Sequence, residues 1–129
     1  MPKKIGIVED EGIVALDISN IVNKLGYETA FIADSGEKVL ILVKENEPDA
    51  ILMDINLGSG MSGKETTGRI KDLIDYKEIP IVAITAFAMQ GDKDEFMKAG
   101  CTHYISKPFN RNTIVSLMKE VLQKQNQIV

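Results

Sequence analysis

The chain has 129 residues, 44% of them hydrophobic and 26% charged, a globular balance that excludes intrinsic disorder, collagen and mucin-like stalks. Fifteen Lys and Arg against nineteen Asp and Glu leave a net charge of -4, which argues against a broad nucleic-acid footprint or direct DNA contact. Cys101 has no partner for an internal disulfide, MPKKIGIVED has no signal-peptide apolar region, and charges interrupt every apolar run before the roughly 18 residues of a membrane span, so a cytoplasmic protein without membrane partners is expected.

The first β-branched run, Lys3 to Val8, is apolar almost throughout, as in a parallel strand covered on both faces. Glu11 to Leu25 follows as a helix, with Val14, Ile18, Ile21 and Leu25 on one face, Asp17, Asn20 and Lys24 on the other, and Gly26 as its stop. Glu28 to Ile32 is a mixed strand suited to an edge. Ser35 to Asn46 is the second helix, opened by Asp34 and Ser35 and carrying Val39, Leu40, Leu42 and Val43. Ala50 to Met53 is a buried-type strand, and Gly63 to Tyr76 is the third helix. Pro80 to Ile84 is the fourth strand, Met89 to Ala99 the fourth helix, and Thr102 to Ile105 a second mixed strand. Asn110 to Gln125 closes the series with Ile114, Met118, Val121 and Leu122 inward, and the polar stretch Gln123 to Gln127 is placed to fray or to lead into a partner domain. Five βα units in succession predict an α/β, doubly wound (βα)5 domain over residues 1–129. Its five-stranded parallel sheet, in order 2-1-3-4-5, lies between two helical layers in a flavodoxin-like three-layer sandwich.

In such sheets ligands bind beyond the carboxyl ends of the strands. There the apolar runs stop in Glu9-Asp10-Glu11, in Asp54, in Thr85 and in Ser106-Lys107-Pro108. Carboxylates that converge repel by about 4 kcal/mol per pair at an effective dielectric near 20, so a cation has to compensate. Oxygen ligands without a second His or a Cys pair suit Mg²⁺, which is commonly shared with a phosphate, and Lys107 adds a charge at the same rim. A carboxylate can act as nucleophile toward phosphorus, and Thr85 offers a hydroxyl to a phosphoryl oxygen.

These residues resemble the response regulator receiver domains of two-component signalling: Glu9-Asp10 after strand one, Asp54-Ile55-Asn56 after strand three, Thr85-Ala86 after strand four, and Tyr104 to Pro108 across strand five. The resemblance implies that Asp54 is the phosphoacceptor. It implies that Asp10, Asp54 and the Asn56 backbone carbonyl ligate Mg²⁺, with Glu9 helping through water. Thr85 and Lys107 would bind the phosphoryl oxygens, Thr85 and Tyr104 would form the switch, and Lys107-Pro108 would be a cis peptide. Phosphorylation would come from a histidine kinase or phosphotransfer protein and alter the surface of helix four, strand five and helix five, where an output protein or domain docks; a phosphorylation-dependent homodimer is a further assembly it allows.

Some positions depart from the family's commonest pattern. Leu57 to Gly63 lacks a proline and is one residue longer, and its three glycines imply mobility. Asn56 and Phe87 occupy positions that tune dephosphorylation, and bulky Phe87 is expected to slow hydrolysis. Plainer readings stand beside these: Glu9, Asp10 and Glu11 as helix caps, Thr85 as a strand-end hydroxyl, Tyr104 as packing on helix four, His103 as a surface residue and Cys101 as a small buried group. A hydrolase of the haloacid dehalogenase type wants a second Asp at the position of Asn56. A flavodoxin-like cofactor site would meet repulsion from Glu9, Asp10 and Glu11, and no dinucleotide or P-loop motif occurs. A signalling module that is not a turnover enzyme is the reading these features favour over a pseudo-receiver scaffold.

Overall fold

A strand apolar on both sides has to be covered on both sides, and that requirement organises the molecule. The structure is a computed structural model, described for residues 2–58, 60–86 and 90–126, with no side-chain description at 90–93 and 123–126. Its elements are β1 (Lys4–Val8), α1 (Gly12–Lys24), β2 (Glu28–Ala33), α2 (Gly36–Asn46), β3 (Ala50–Asp54), α3 (Gly63–Lys71), a 3₁₀ turn (Ile74–Tyr76), β4 (Ile81–Thr85), α4 (Gln90–Ala99), β5 (His103–Ser106) and α5 (Arg111–Asn126). The five strands are parallel in the order β2-β1-β3-β4-β5, with the mixed strands at the edges. This is the doubly wound, flavodoxin-like arrangement expected.

Side chains alternate across the sheet and build two separate apolar layers. Ile5, Ile7, Leu52, Val82, Ile84 and Ile105 pack on one side with Ile18 and Val22 of α1 and Ile114, Met118 and Leu122 of α5. Val8, Ile51, Met53, Ile81 and Ala83 pack on the other with Val39 and Val43 of α2, Ile70 of α3 and Phe96 of α4. Burying one such aliphatic side chain contributes about 1.5 to 3 kcal/mol, so each layer holds its helices independently of local propensity.

Helix ends follow the expected chemistry. The Ser35 hydroxyl accepts from the Lys38 amide at 3.4 Å, Ser62 from Glu65 at 3.1 Å and Asn110 from Thr113 at 2.9 Å, while Gly26 takes a left-handed φ of 92° after α1. The third helix is shorter than its periodicity predicts. It ends at Lys71, Leu73 is extended, and a 3₁₀ turn follows. The break places Tyr76 so that its hydroxyl donates to the Val43 carbonyl at 3.0 Å. It also lets the Lys71 ammonium donate to the carbonyls of Lys77 and Ile79. All five strands start or end one residue away from the sequence boundaries, β4 and β5 at both ends, which makes Asp54 and Thr85 the last residues of β3 and β4. No helix among the described residues is long and apolar enough to cross a membrane.

Candidate functional site

Parallel pairing brings the carboxyl ends of β1, β3 and β4 side by side, and β5 continues the row. The register sets Val8 against Met53, Asp54 against Ile84 and Thr85 against Ser106. Backbone bonds fix the residues just beyond: Glu9 N–H donates to the Ala33 carbonyl at 2.9 Å, Ile55 to Ile84 at 3.0 Å and Lys107 to Thr85 at 2.7 Å. Four chemistry-bearing positions are thus held by the sheet, not by loop conformation.

The geometry is of two buried carboxylates facing one ammonium. Asp54 and Glu9 are each 2% exposed, and Lys107 Nζ lies 3.3 Å from Asp54 Oδ2 and 3.3 Å from Glu9 Oε2. Glu9, Asp10 and Asp54 each offer a carboxylate oxygen within 4.8 Å of the others, and Asp10 is exposed. Asp54 Oδ1 accepts the Asn56 amide at 3.0 Å, which orients the carboxyl group. Burial pushes the Glu9 carboxyl up to about 7, with help from its hydrogen bond and repulsion with Asp54 and against the pull of the Glu11 amide and Lys107. Burial alone would lower the Lys107 ammonium, but the charges of Asp54 and Glu9 and their hydrogen bonds outweigh it and raise the group. A cluster this acidic, all oxygen and open at Asp10, has the donor set of a hard divalent cation; its residues fit Mg²⁺.

The remaining expected positions fall as follows. Thr85 is buried at the end of β4, and the Lys107-Pro108 peptide is cis. Asn56 stands two residues after Asp54, and its amide bond to Asp54 Oδ1 at 3.0 Å brings its backbone to the border of the cluster. Tyr104 is half-buried on β5 and packs against the layer that includes Phe96 of α4. His103 is half-buried beside Thr102, its Nδ1 2.9 Å from the Thr102 hydroxyl. Cys101 is buried, with Sγ 3.8 Å from the Thr67 hydroxyl. Phe87 lies outside the described residues. The capping reading of the acidic run fails in one respect, because Glu11 at the N-cap of α1 makes no side-chain cap bond.

A match to the family model described as response regulator receiver domain spans residues 5–119. The chain belongs to the response regulator receiver domains. A polar-differentiation response regulator, DivK, of Brucella anthropi is 39% identical over 122 residues, covering 95% of this chain and 98% of the relative. Among solved structures, a response regulator from Chloroflexus aurantiacus superposes with a TM-score of 0.89 at 31% identity, covering 95% of this chain and 99% of that one. The receiver domain of a Pseudomonas aeruginosa sensor histidine kinase, crystallised with a magnesium ion coordinated in its active site cleft, gives 0.85 at 28% identity, covering 95% and 99%. The domain is therefore a module of two-component signalling.

Two features of this receiver domain escaped the sequence reading. Ile13 and Leu16, on the outer side of α1, are 88% and 56% exposed and line a shallow depression of about 730 Å³. A second depression of about 400 Å³ reaches Lys107, Pro108 and Phe109, and Val14 and Asp17 border both. The apolar patch is thus continuous with the rim of the acidic cluster. Periodicity identifies the inward face of α1, and only the exposed apolar pair opposite it signals this one. The second feature is a bond that Glu37 of α2 accepts from the Met61 amide in the loop after β3.

Proposed function

We propose that the domain accepts a phosphoryl group on Asp54 from a histidine kinase or phosphotransfer protein, and that phosphorylation of this carboxylate shifts the surface of α4, β5 and α5. The observation that carries the reading is the Lys107 ammonium seated between two buried carboxylates at the carboxyl end of a parallel sheet. A lone structural ion pair needs one acid. Two acids and an exposed third around one cation leave uncompensated negative charge, which a divalent ion and an incoming phosphoryl group resolve together.

In the reaction, an Asp54 oxygen attacks phosphorus, the P–N bond to the donor imidazole breaks, and the imidazole leaves with the bonding pair and takes up a proton. Lys107 neutralises a phosphoryl oxygen, and the Thr85 hydroxyl donates to another. Asp10, Asp54 and the Asn56 carbonyl would hold Mg²⁺, with Glu9 acting through water, and the ion supplies charge neutralisation at phosphorus. Asn56 stands where a hydrolase would need an acid, so the domain takes part in its own phosphorylation and dephosphorylation without turnover on other substrates. Phosphorylation adds close to two negative charges, enough to bias two conformations that differ by a few kcal/mol. Thr85 and Tyr104 are the residues through which the bias reaches β5, and Phe87, with Asn56, is the position proposed to tune hydrolysis.

The donor has to approach from the side where the pocket opens. The exposed Ile13 and Leu16 adjoin that side, and they support docking of a helical phosphodonor protein on α1. The deciding experiment is incubation with Mg²⁺ and acetyl phosphate followed by intact mass. One added phosphoryl group on the wild type and none on Asp54→Ala supports the reading. No gain, or equal gain by the variant, overturns it.

A further inference from the structure

The glycine-rich segment after β3 reads as mobile from its composition, yet its described residues are tied at both ends. At the β3 end, the Asn56 amide donates to Asp54 Oδ1 at 3.0 Å. At the far end, the Met61 amide donates to Glu37 Oε1 at 2.9 Å, and Glu37 sits in the first turn of α2. Between them the backbone runs close to the acidic cluster: a Cβ on Gly58 would stand 3.2 Å from Asp10 Oδ2. Gly60 has a φ of 86°, and a Cβ there would stand 3.1 Å from Glu37 Oε1. The glutamate carboxylate therefore occupies the space a side chain at position 60 would need, and the left-handed backbone at that point suits glycine alone.

We propose that Glu37 is a positioning residue for the phosphoacceptor site, its carboxylate clamping the Met61 amide so that the loop backbone is held against Asp10 and Asp54. The inference rests on the reading of the site given above. A carboxylate accepting backbone N–H bonds makes a charge-assisted contact, and the Glu37 acid is held below its usual range by its own amide first and then by that of Met61. Releasing the clamp lets the loop sample positions in which the Asn56 carbonyl and the Asp10 carboxylate are not in place together. A ligand that needs the competent arrangement then binds more weakly by the fraction of molecules that hold it. Glu37 touches neither the metal nor phosphorus; it acts through the backbone.

The test compares wild type, Glu37→Ala, Glu37→Gln, Gly60→Ala and the Glu37→Ala/Gly60→Ala double variant. Mg²⁺ affinity is read by calorimetry with the metal alone, and labelling by acetyl phosphate is read as a function of Mg²⁺. Glu37→Ala and Gly60→Ala are each expected to weaken Mg²⁺ three- to tenfold, and the double variant no more than the worse single, because both break one contact. Glu37→Gln keeps an acceptor oxygen and recovers at least half of the loss on a logarithmic scale. Labelling at saturating Mg²⁺ returns to within twofold of wild type, which a general loss of structure would not allow. Mg²⁺ affinities equal to wild type in both single variants overturn the clamp while leaving the site reading intact. A wild type that binds no Mg²⁺ and takes up no phosphoryl group overturns both. Should Glu37→Ala fail to fold, Gly60→Ala and Glu37→Gln decide the question between them.

Discussion

Lys107 Nζ lies 3.3 Å from Asp54 Oδ2, although 53 residues separate the two in the chain. The contact exists because β3 and β5 flank β4 in parallel and Lys107 is anchored by its own amide to the Thr85 carbonyl. The ammonium therefore competes with any metal for the same carboxylates, whatever it does for the proposed phosphoryl group. Lys107→Met should slow acetyl phosphate labelling at least tenfold, yet tighten Mg²⁺ severalfold by removing a like charge from the pocket. Calorimetry and intact mass read the two effects; a change in the same direction in both would contradict the arrangement.

The pH dependence of metal binding follows from Glu9. Its folded-state pKa, raised to about 7 by burial, exceeds the ordinary 4.5, so the metal-free fold binds more protons than the unfolded chain between those values. The stability this group contributes is fully present below pH 4.5 and is lost as pH rises to about 7, with a slope of at most about 1.4 kcal/mol per pH unit. Mg²⁺ favours the ionised acid, so its apparent affinity should increase from pH 6 to pH 8. At a hundredfold excess over its Kd the ion should add about 2.7 kcal/mol of stability, and this gain should vanish on chelation and in Asp10→Asn. Thermal melts with and without the metal across pH provide the check.

Replacing Ile13 with Asp separates protein recognition from chemistry. The side chain is 88% exposed and supports nothing in the core, so stability should move by less than about 0.5 kcal/mol. Phosphoryl transfer from a histidine kinase or phosphotransfer protein should slow tenfold or more, while labelling by acetyl phosphate stays at the wild-type rate. Equal slowing with both donors would place the defect in the site.

The thiol of Cys101 should resist modification in the native state. Burial pushes it above its ordinary value, outweighing the Thr67 hydrogen bond and the Lys71 charge that act the other way. At any pH near 8 the folded chain then holds less thiolate than the unfolded one, and the sulfur is also screened from reagent. Labelling by a thiol-reactive disulfide reagent should be at least a hundredfold slower than in denaturant and should increase with pH. Fast labelling would report local opening at the start of β5.

The placement of the candidate site residues was legible because the strands announce their own ends. Apolar runs stop at Glu9, Asp54, Thr85 and Lys107, and the strand order alone brings those ends together. Helix faces were legible for the same reason, as the burial of Ile18 and Met118 shows. What escaped were contacts without a period. The Glu37 bond to Met61 joins residues 24 apart through a loop whose composition suggests freedom. The early stop of α3 at Lys71 depends on where Tyr76 and Lys71 find carbonyl acceptors, and those acceptors lie on other segments. The outward pair Ile13 and Leu16 violates no helical pattern, so only exposure distinguishes it from core.

The sheet also acts as a partition. Since α1 and α5 rest on one apolar layer and α4 on the other, a lineage could remodel the outer face of α1, residue by residue, while the α4 side keeps its packing unchanged. The proposed output surface of α4, β5 and α5 straddles this divide, so its α4 part is insulated from changes in α1 while its α5 part shares their layer.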